Sequence, residues 1–163
     1  MARRVFFSFH YEGDIWRANC VRKSWVTQDG REAAGFWDAS LWEKTKKEGD
    51  DAIKKMIEIG LNNTSVTAVL IGTETASREW VKYEIQKSYI RGNGLIGVHI
   101  YRICDQNGWS SSKGENPLDI LGVTVNGKWK PLSNRYKTYD WIVDDGYNNF
   151  KNWVEEAAKI AGC

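Results

Sequence analysis

The sequence predicts an α/β fold: an open, mainly parallel five-stranded sheet with helices on both faces. Three observations lead there. Apolar runs occur at residues 5–9, 36–40, 66–71, 95–101 and 139–143. They are continuous rather than alternating, which suits parallel strands covered on both faces. Their starts lie 31, 30, 29 and 44 residues apart, and a strand–helix–strand unit takes about 30 residues. The segments between the runs carry apolar residues at helical spacing.

In chain order, Val5-Phe6-Phe7-Ser8-Phe9 is the first strand. Residues 14–25 follow as a helix, with Ile15, Ala18, Val21 and Trp25 on one face. Residues 36–40 are the second strand. Ile53, Ile57 and Leu61 mark a helix over 50–61, with Asp50 as its N-cap. Residues 66–71 are the central strand. The next helix, 77–90, buries Val81, Ile85 and Tyr89, with Ser77 as cap. Residues 95–101 are the fourth strand. Residues 104–131 are rich in Gly, Ser and Asn and account for the long last interval, as a surface insertion. Residues 139–143 are the fifth strand. Phe150, Trp153, Val154, Ala157 and Ile160 mark a closing helix over 148–161.

Composition narrows the function classes. The 163 residues suit one domain, long enough to bury a core without staples. Lys and Arg total 23 against 21 Asp and Glu, a net charge of +2. That balance gives no sign of a nucleic-acid partner. No run is long enough for a signal peptide or membrane span, so a cytoplasmic protein is expected. Cys20, Cys104 and Cys163 are scattered with no C-x-x-C, and His10 and His99 are the only histidines. No metal site is indicated. Cys20 reads as a small, semi-buried side chain and His99 as a hydrogen-bonded core histidine.

Gly92-Asn93-Gly94-Leu95-Ile96-Gly97 matches G-x-G-x-x-G. A dinucleotide fingerprint follows a strand and opens a helix. Here a helix ends and a strand begins, so the glycines read as a helix C-cap and a turn. No G-x-S-x-G elbow is present. The phospho-acceptor aspartate of a receiver domain is also missing, because the central strand ends Ile71-Gly72-Thr73.

In an open α/β sheet, ligands sit beyond the carboxyl ends of the strands, near the switch in strand order. The loops after residues 9, 40 and 71 are therefore the candidates. Trp80 and Glu84 lie four apart on one face of the helix that follows the central strand. Glu84 falls at the edge of the buried stripe, while Glu79, Lys82 and Gln86 form the wet side. The bland alternative is a surface glutamate paired with Lys87. Of the nine tryptophans, Trp25, Trp141 and Trp153 read as core. Trp109 and Trp129 fall in the late insertion. Trp37 and Trp42 flank the second loop and face the same site as Trp80.

These motifs carry a resemblance. The strand Val5-Phe6-Phe7-Ser8-Phe9 resembles the strand that opens TIR domains. Trp80-Val81-Lys82-Tyr83-Glu84-Ile85 resembles their W-x-x-x-E motif, whose glutamate is catalytic in NAD-cleaving members. Phe6-Phe7-Ser8-Phe9-His10-Tyr11, Val21-Arg22-Lys23-Ser24-Trp25, Asp38-Ala39-Ser40-Leu41-Trp42-Glu43 and Gly60-Leu61-Asn62-Asn63-Thr64-Ser65-Val66-Thr67 resemble the TIR-like ThsB family of the Thoeris anti-phage system. So do Val69-Leu70-Ile71-Gly72, Tyr139-Asp140-Trp141 and Asp144-Asp145-Gly146-Tyr147. The likeness runs along nearly the whole chain.

The resemblance implies a flavodoxin-like, three-layer TIR fold. It implies an NAD hydrolase or cyclase, with NAD+ as substrate, no cofactor, and a nucleotide product that activates a separate effector. Self-assembly or a phage-derived activator would be the trigger. Glu84 carries over as the catalytic carboxylate. Phe9, His10 and Tyr11 carry over as the loop lining the NAD site, with Asp38 and Trp80 as further substrate-binding residues. Some NAD-cleaving TIR domains have basic residues where this chain has His10 and Tyr11. Phosphate binding is therefore expected from backbone amides and helix N-termini.

One carboxylate suffices for this chemistry. Ordinary glycosidases use a second carboxyl group to protonate the leaving oxygen. Nicotinamide departs neutral from a pyridinium and needs no acid. An ionised glutamate opposes the positive charge that develops on the ribose. Glu84 is accordingly expected to stay charged at neutral pH, with its pKa below about 7 despite Trp80. Two other readings stay open, a non-catalytic TIR interaction module and an enzyme that transfers ribosyl groups of free nucleosides.

Overall fold

The computed structural model describes residues 3–27, 31–37 and 39–163. Its elements, in order, are β1 (Arg4–Ser8), α1 (Tyr11–Val26), β2 (Glu32–Ala34), α2 (Ala39–Glu48), α3 (Asp50–Leu61) and β3 (Val66–Ile71). Then come α4 (Glu79–Arg91), β4 (Gly94–His99), α5 (Pro117–Ile120), β5 (Gly122–Val125), β6 (Lys128–Pro131), β7 (Thr138–Asp140) and α6 (Gly146–Ala161).

Five strands form one sheet in the order β2-β1-β3-β4-β7. Every pair in it is parallel. Chain order reverses beside β1, so the crevice above β1 and β3 is the place such a sheet offers a ligand. β3 is buried at all six positions, and so is β4, as continuous apolar runs require.

Helices cover both faces. On one face, Ala18, Val21 and Trp25 of α1 and Phe150, Trp153 and Val154 of α6 pack on Val5, Phe7, Ala68 and Val98. Phe150 is the hub, with Phe7, Trp25, Trp141 and Trp153 all within 6.3 Å between ring centroids. The other face carries Ile53, Ile57 and Leu61 of α3 against Phe6. Beside them, Val81 and Ile85 of α4 lie against Val69, Ile71 and Leu95.

The glycine-rich match behaves as a cap and turn. Gly92 ends α4 with φ 89°, and its N–H donates to the Tyr89 carbonyl. β4 begins two residues later. Residues 104–131 contain α5 and an antiparallel hairpin of β5 and β6. Leu118 of α5 is fully buried and joins the cluster around Ile71 and Ile85. Trp109 and Trp129 are exposed.

Several expectations need correction. The second strand lies at Glu32–Ala34, not 36–40, and α2 occupies Ala39–Glu48. Phe36 and Trp37 are apolar because they line a pocket and the core edge, not because they pair in the sheet. Gly49 rather than Asp50 caps α3, and Asp50 and Asp51 sit in its first turn, where the helix dipole favours acids. Ser77 closes a short 3-10 turn, and Arg78 is the N-cap of α4. Cys20 is exposed. His99 is buried as expected, but its Nδ1 has no hydrogen-bond partner.

Candidate active site

A cavity of about 390 Å3 lies at the carboxyl end of β1, between the loop after β2, α2 and the start of α4. Its floor is Glu84. Trp80 and Glu84 come from one face of α4, as their spacing predicts, and both line the pocket. Glu84 is 5% exposed and does not pair with Lys87, which meets Glu58 at 3.6 Å. Instead the Ser8 hydroxyl, at the end of β1, donates to Glu84 Oε1 at 2.7 Å. Ser8 is fully buried.

This burial overturns the expectation of a charged glutamate. Desolvation pushes the Glu84 carboxyl from an ordinary 4.5 up to about 8, only partly opposed by the Ser8 hydrogen bond. Burial disfavours the charged form, and a hydroxyl donor favours it. In the ligand-free protein at pH 7, Glu84 is mostly protonated.

The loop after β1 lines the same cavity through Phe9, His10 and Tyr11. His10 folds back over the first turn of α1, and its Nδ1 sits 2.7 Å from where a side chain at Gly13 would place its Cβ. Gly13 therefore makes room for the imidazole. Aromatic rings continue the wall. Phe9 stacks on Tyr11 at 6.2 Å, Tyr11 meets Trp42 at 5.6 Å, and Trp42 stacks on Trp37 at 5.9 Å and 15°. Such flat surfaces suit a planar heterocycle. Trp80 stands edge-on to Tyr83 at 5.8 Å.

Phe9, His10, Tyr11, Trp80 and Glu84 thus converge, and Trp37 and Trp42 join them. Asp38 lies outside the described residues. Ser8, Lys46, Arg78 and Glu12 were not singled out by sequence reasoning. Ser8 read as part of an apolar strand. Lys46 lies on α2, a helix that the apolar spacing does not predict, and Arg78 is the N-cap one residue after the expected cap Ser77. The N-termini of α1 and α4 border the cavity through Glu12 and through Arg78, Glu79 and Trp80. Lys46 and Arg78 stand at the rim as cationic side chains. Among the described residues, no cluster of His, Cys, Asp and Glu could hold a metal ion. None of their helices is long and apolar enough to cross a membrane.

The arrangement is a carboxyl group at the base of an aromatic slot with cations at its mouth. It can hold a planar, anionic ligand with one bond placed against Glu84. Comparisons with known proteins point to the same chemistry. Residues 6–103 match the family model described as "Thoeris protein ThsB, TIR-like domain". A relative from Bacillus cereus (strain MSX-D12) is named "Putative cyclic ADP-D-ribose synthase ThsB1". It is 45% identical over an alignment 191 positions long, which covers 94% of this chain and all of the relative.

Proposed function

Because this chain belongs to the ThsB family of TIR-like domains, we propose that it cleaves NAD+. It breaks the nicotinamide–ribose bond, releases nicotinamide, and closes the remaining ADP-ribose into a cyclic second messenger for anti-phage signalling. The reading takes residues 1–163 as one TIR-like domain acting in the cytoplasm, with residues 104–131 as a surface insertion. The product activates a separate effector protein, and self-assembly or a phage-derived activator switches the enzyme on.

The observation that carries this reading is Glu84, 5% exposed at the base of the aromatic slot and held by Ser8 at 2.7 Å. NAD+ brings a pyridinium cation to that carboxyl. A nearby cation favours the ionised form, so the proton leaves for solvent as substrate binds. The carboxylate then opposes the positive charge growing on the ribose as nicotinamide departs. Phe9, Tyr11 and Trp80 exclude water and hold the rings, which lets a group of the same molecule reach the ribose before water does. Lys46 and Arg78 at the rim favour a phosphate-bearing substrate over a free nucleoside.

The pH profile tests the role of Glu84. The kcat/KM for NAD+ reports the free enzyme's ionisation. It should rise with pH and level off above about 8, the value burial gives Glu84. Ser8→Ala removes the hydroxyl that favours the carboxylate. The rise should then move about one pH unit to the alkaline side, with roughly tenfold lower kcat/KM at pH 7. A profile flat from pH 6 to 9, or one unmoved in Ser8→Ala, would contradict the assignment.

A further inference from the structure

The rim of the pocket holds a carboxylate where an anion-binding site would hold its ligand. Glu12 lies in the first turn of α1, Lys46 in the last turn of α2, and Arg78 at the N-cap of α4. Three separate elements therefore converge on one edge of the cavity. Lys46 Nζ donates to Glu12 Oε1 at 2.7 Å. Lys46, and less strongly His10 and Arg78, hold the Glu12 carboxyl below its usual range. Arg78 is only half engaged. Its Nη2 lies 3.1 Å from Glu74, while its Nε is buried with no hydrogen-bond partner.

We propose that Lys46 and Arg78 form a diphosphate-binding pair, and that the Glu12 carboxylate occupies this place in the ligand-free protein as a built-in competitor. The inference rests on the NAD-cleaving reading, because it assigns the diphosphate of that substrate. The charges fit the exchange. A diphosphate brings two negative charges and several acceptor oxygens, against one charge on Glu12. It takes over the Lys46 ammonium and gives the unpaired Arg78 Nε–H an acceptor. The Glu12 side chain is 58% exposed, so it swings into water when displaced. The depths also fit. The side chains of Lys46 and Arg78 are 38% and 41% exposed, at the mouth, while Glu84 is 5% exposed at the floor. The diphosphate thus sits outward of the ribose whose bond breaks.

The consequence is a raised threshold for phosphate ligands. A ligand without phosphate does not engage Lys46 in either state, so Lys46 and Arg78 supply the preference for a diphosphate and Glu12 tempers it.

Calorimetric titration of ADP-ribose, inorganic pyrophosphate and adenosine into the full chain tests this. Glu12→Gln should bind ADP-ribose and pyrophosphate about two- to fivefold tighter, because the competing charge is gone. Lys46→Met should bind both about tenfold or more weakly, with a smaller salt dependence. Adenosine affinity should change less than twofold in either variant. The inference is overturned if Glu12→Gln binds ADP-ribose no tighter, or if adenosine shifts as much as ADP-ribose. These side chains are exposed, and Glu12→Gln alone decides the matter if Lys46→Met does not fold. A protein that binds ADP-ribose in this pattern but releases no nicotinamide from NAD+ would keep the subsite and sink the cleavage reading.

Discussion

Glu84→Gln should lose at least about 10³-fold in nicotinamide release and at the same time become harder to unfold at alkaline pH. The activity falls because the amide cannot carry the charge that opposes the ribose cation. The stability rises for a reason that can be signed. The Glu84 carboxyl titrates near 8 in the folded protein against an ordinary 4.5. Between those values the unfolded chain has ionised while the folded chain still holds its proton. Stability from this group is full below about 4.5 and is lost as pH rises toward 8. A glutamine pays no such penalty and keeps the volume and a partner for the Ser8 hydroxyl. At pH 8 the variant should gain on the order of a few kcal/mol, raising Tm by roughly 5–10 °C. At pH 4.5 the two proteins should melt alike. Opposite movement of activity and stability marks a functional group held at a cost. A merely structural glutamate would lose stability on substitution, and that result would count against the assignment.

Arg17→Met should be the most damaging single change away from the pocket. Arg17 is 7% exposed and ties three parts of the chain together. Its Nε donates to the Ile103 carbonyl at 2.7 Å and its Nη2 to the Trp109 carbonyl at 2.9 Å. Its Nη1 lies 3.5 Å from Asp14, which is itself 5% exposed. Burial raises the Asp14 carboxyl above its usual range, and Arg17 pulls it back. Methionine fills the space but leaves the Ile103 carbonyl and the Asp14 carboxyl without the guanidinium, and the Trp109 carbonyl with the Asp105 N–H alone. Removing one partner of a buried pair costs about 3–5 kcal/mol. Protonation of Asp14 relieves part of it, so about 3 kcal/mol and a Tm fall near 10 °C are expected. The double variant Asp14→Asn/Arg17→Met should recover part of that loss, as coupled sites do. A Tm change below about 2 °C in Arg17→Met would show that these contacts hold nothing.

Much of this was legible in the sequence, and the misses have physical causes. β3 and α3 fall at the residues expected from them. A run of six residues broken only by Thr67, and an i, i+4, i+8 stripe, each leave one solution. The second strand was misplaced because β2 is a three-residue edge strand containing a charged residue, Glu32. Its hydrophobic neighbours Phe36 and Trp37 belong to the pocket wall and core edge. α2 leaves no helical apolar stripe in the sequence because it buries only Trp42 and Thr45 and half of its residues are charged.

The site shows the same division. Phe9, His10, Tyr11, Trp80 and Glu84 were found through strand ends, helical spacing and the family motif. Ser8 was not, since a serine in an apolar strand gives no sign of what its hydroxyl meets 76 residues away. The ionisation of Glu84 also differs from the sequence expectation, because burial raises its pKa to about 8. Helical spacing placed it at the edge of the buried stripe, and the packing of β1 against α4 closed over it. Lys46 and Arg78 depended on where α2 begins and α4 is capped, which are the weakest features to read from residues.

Turnover of NAD+ to nicotinamide and a cyclic product through Glu84 is the reaction proposed for this chain. Mass spectrometry of the products from NAD+ tests it most directly, with protein alone and with extract of phage-infected cells. The expected result is nicotinamide together with a species one water lighter than ADP-ribose, and neither from Glu84→Gln. Absence of nicotinamide under both conditions, or an equal yield from Glu84→Gln, would contradict it.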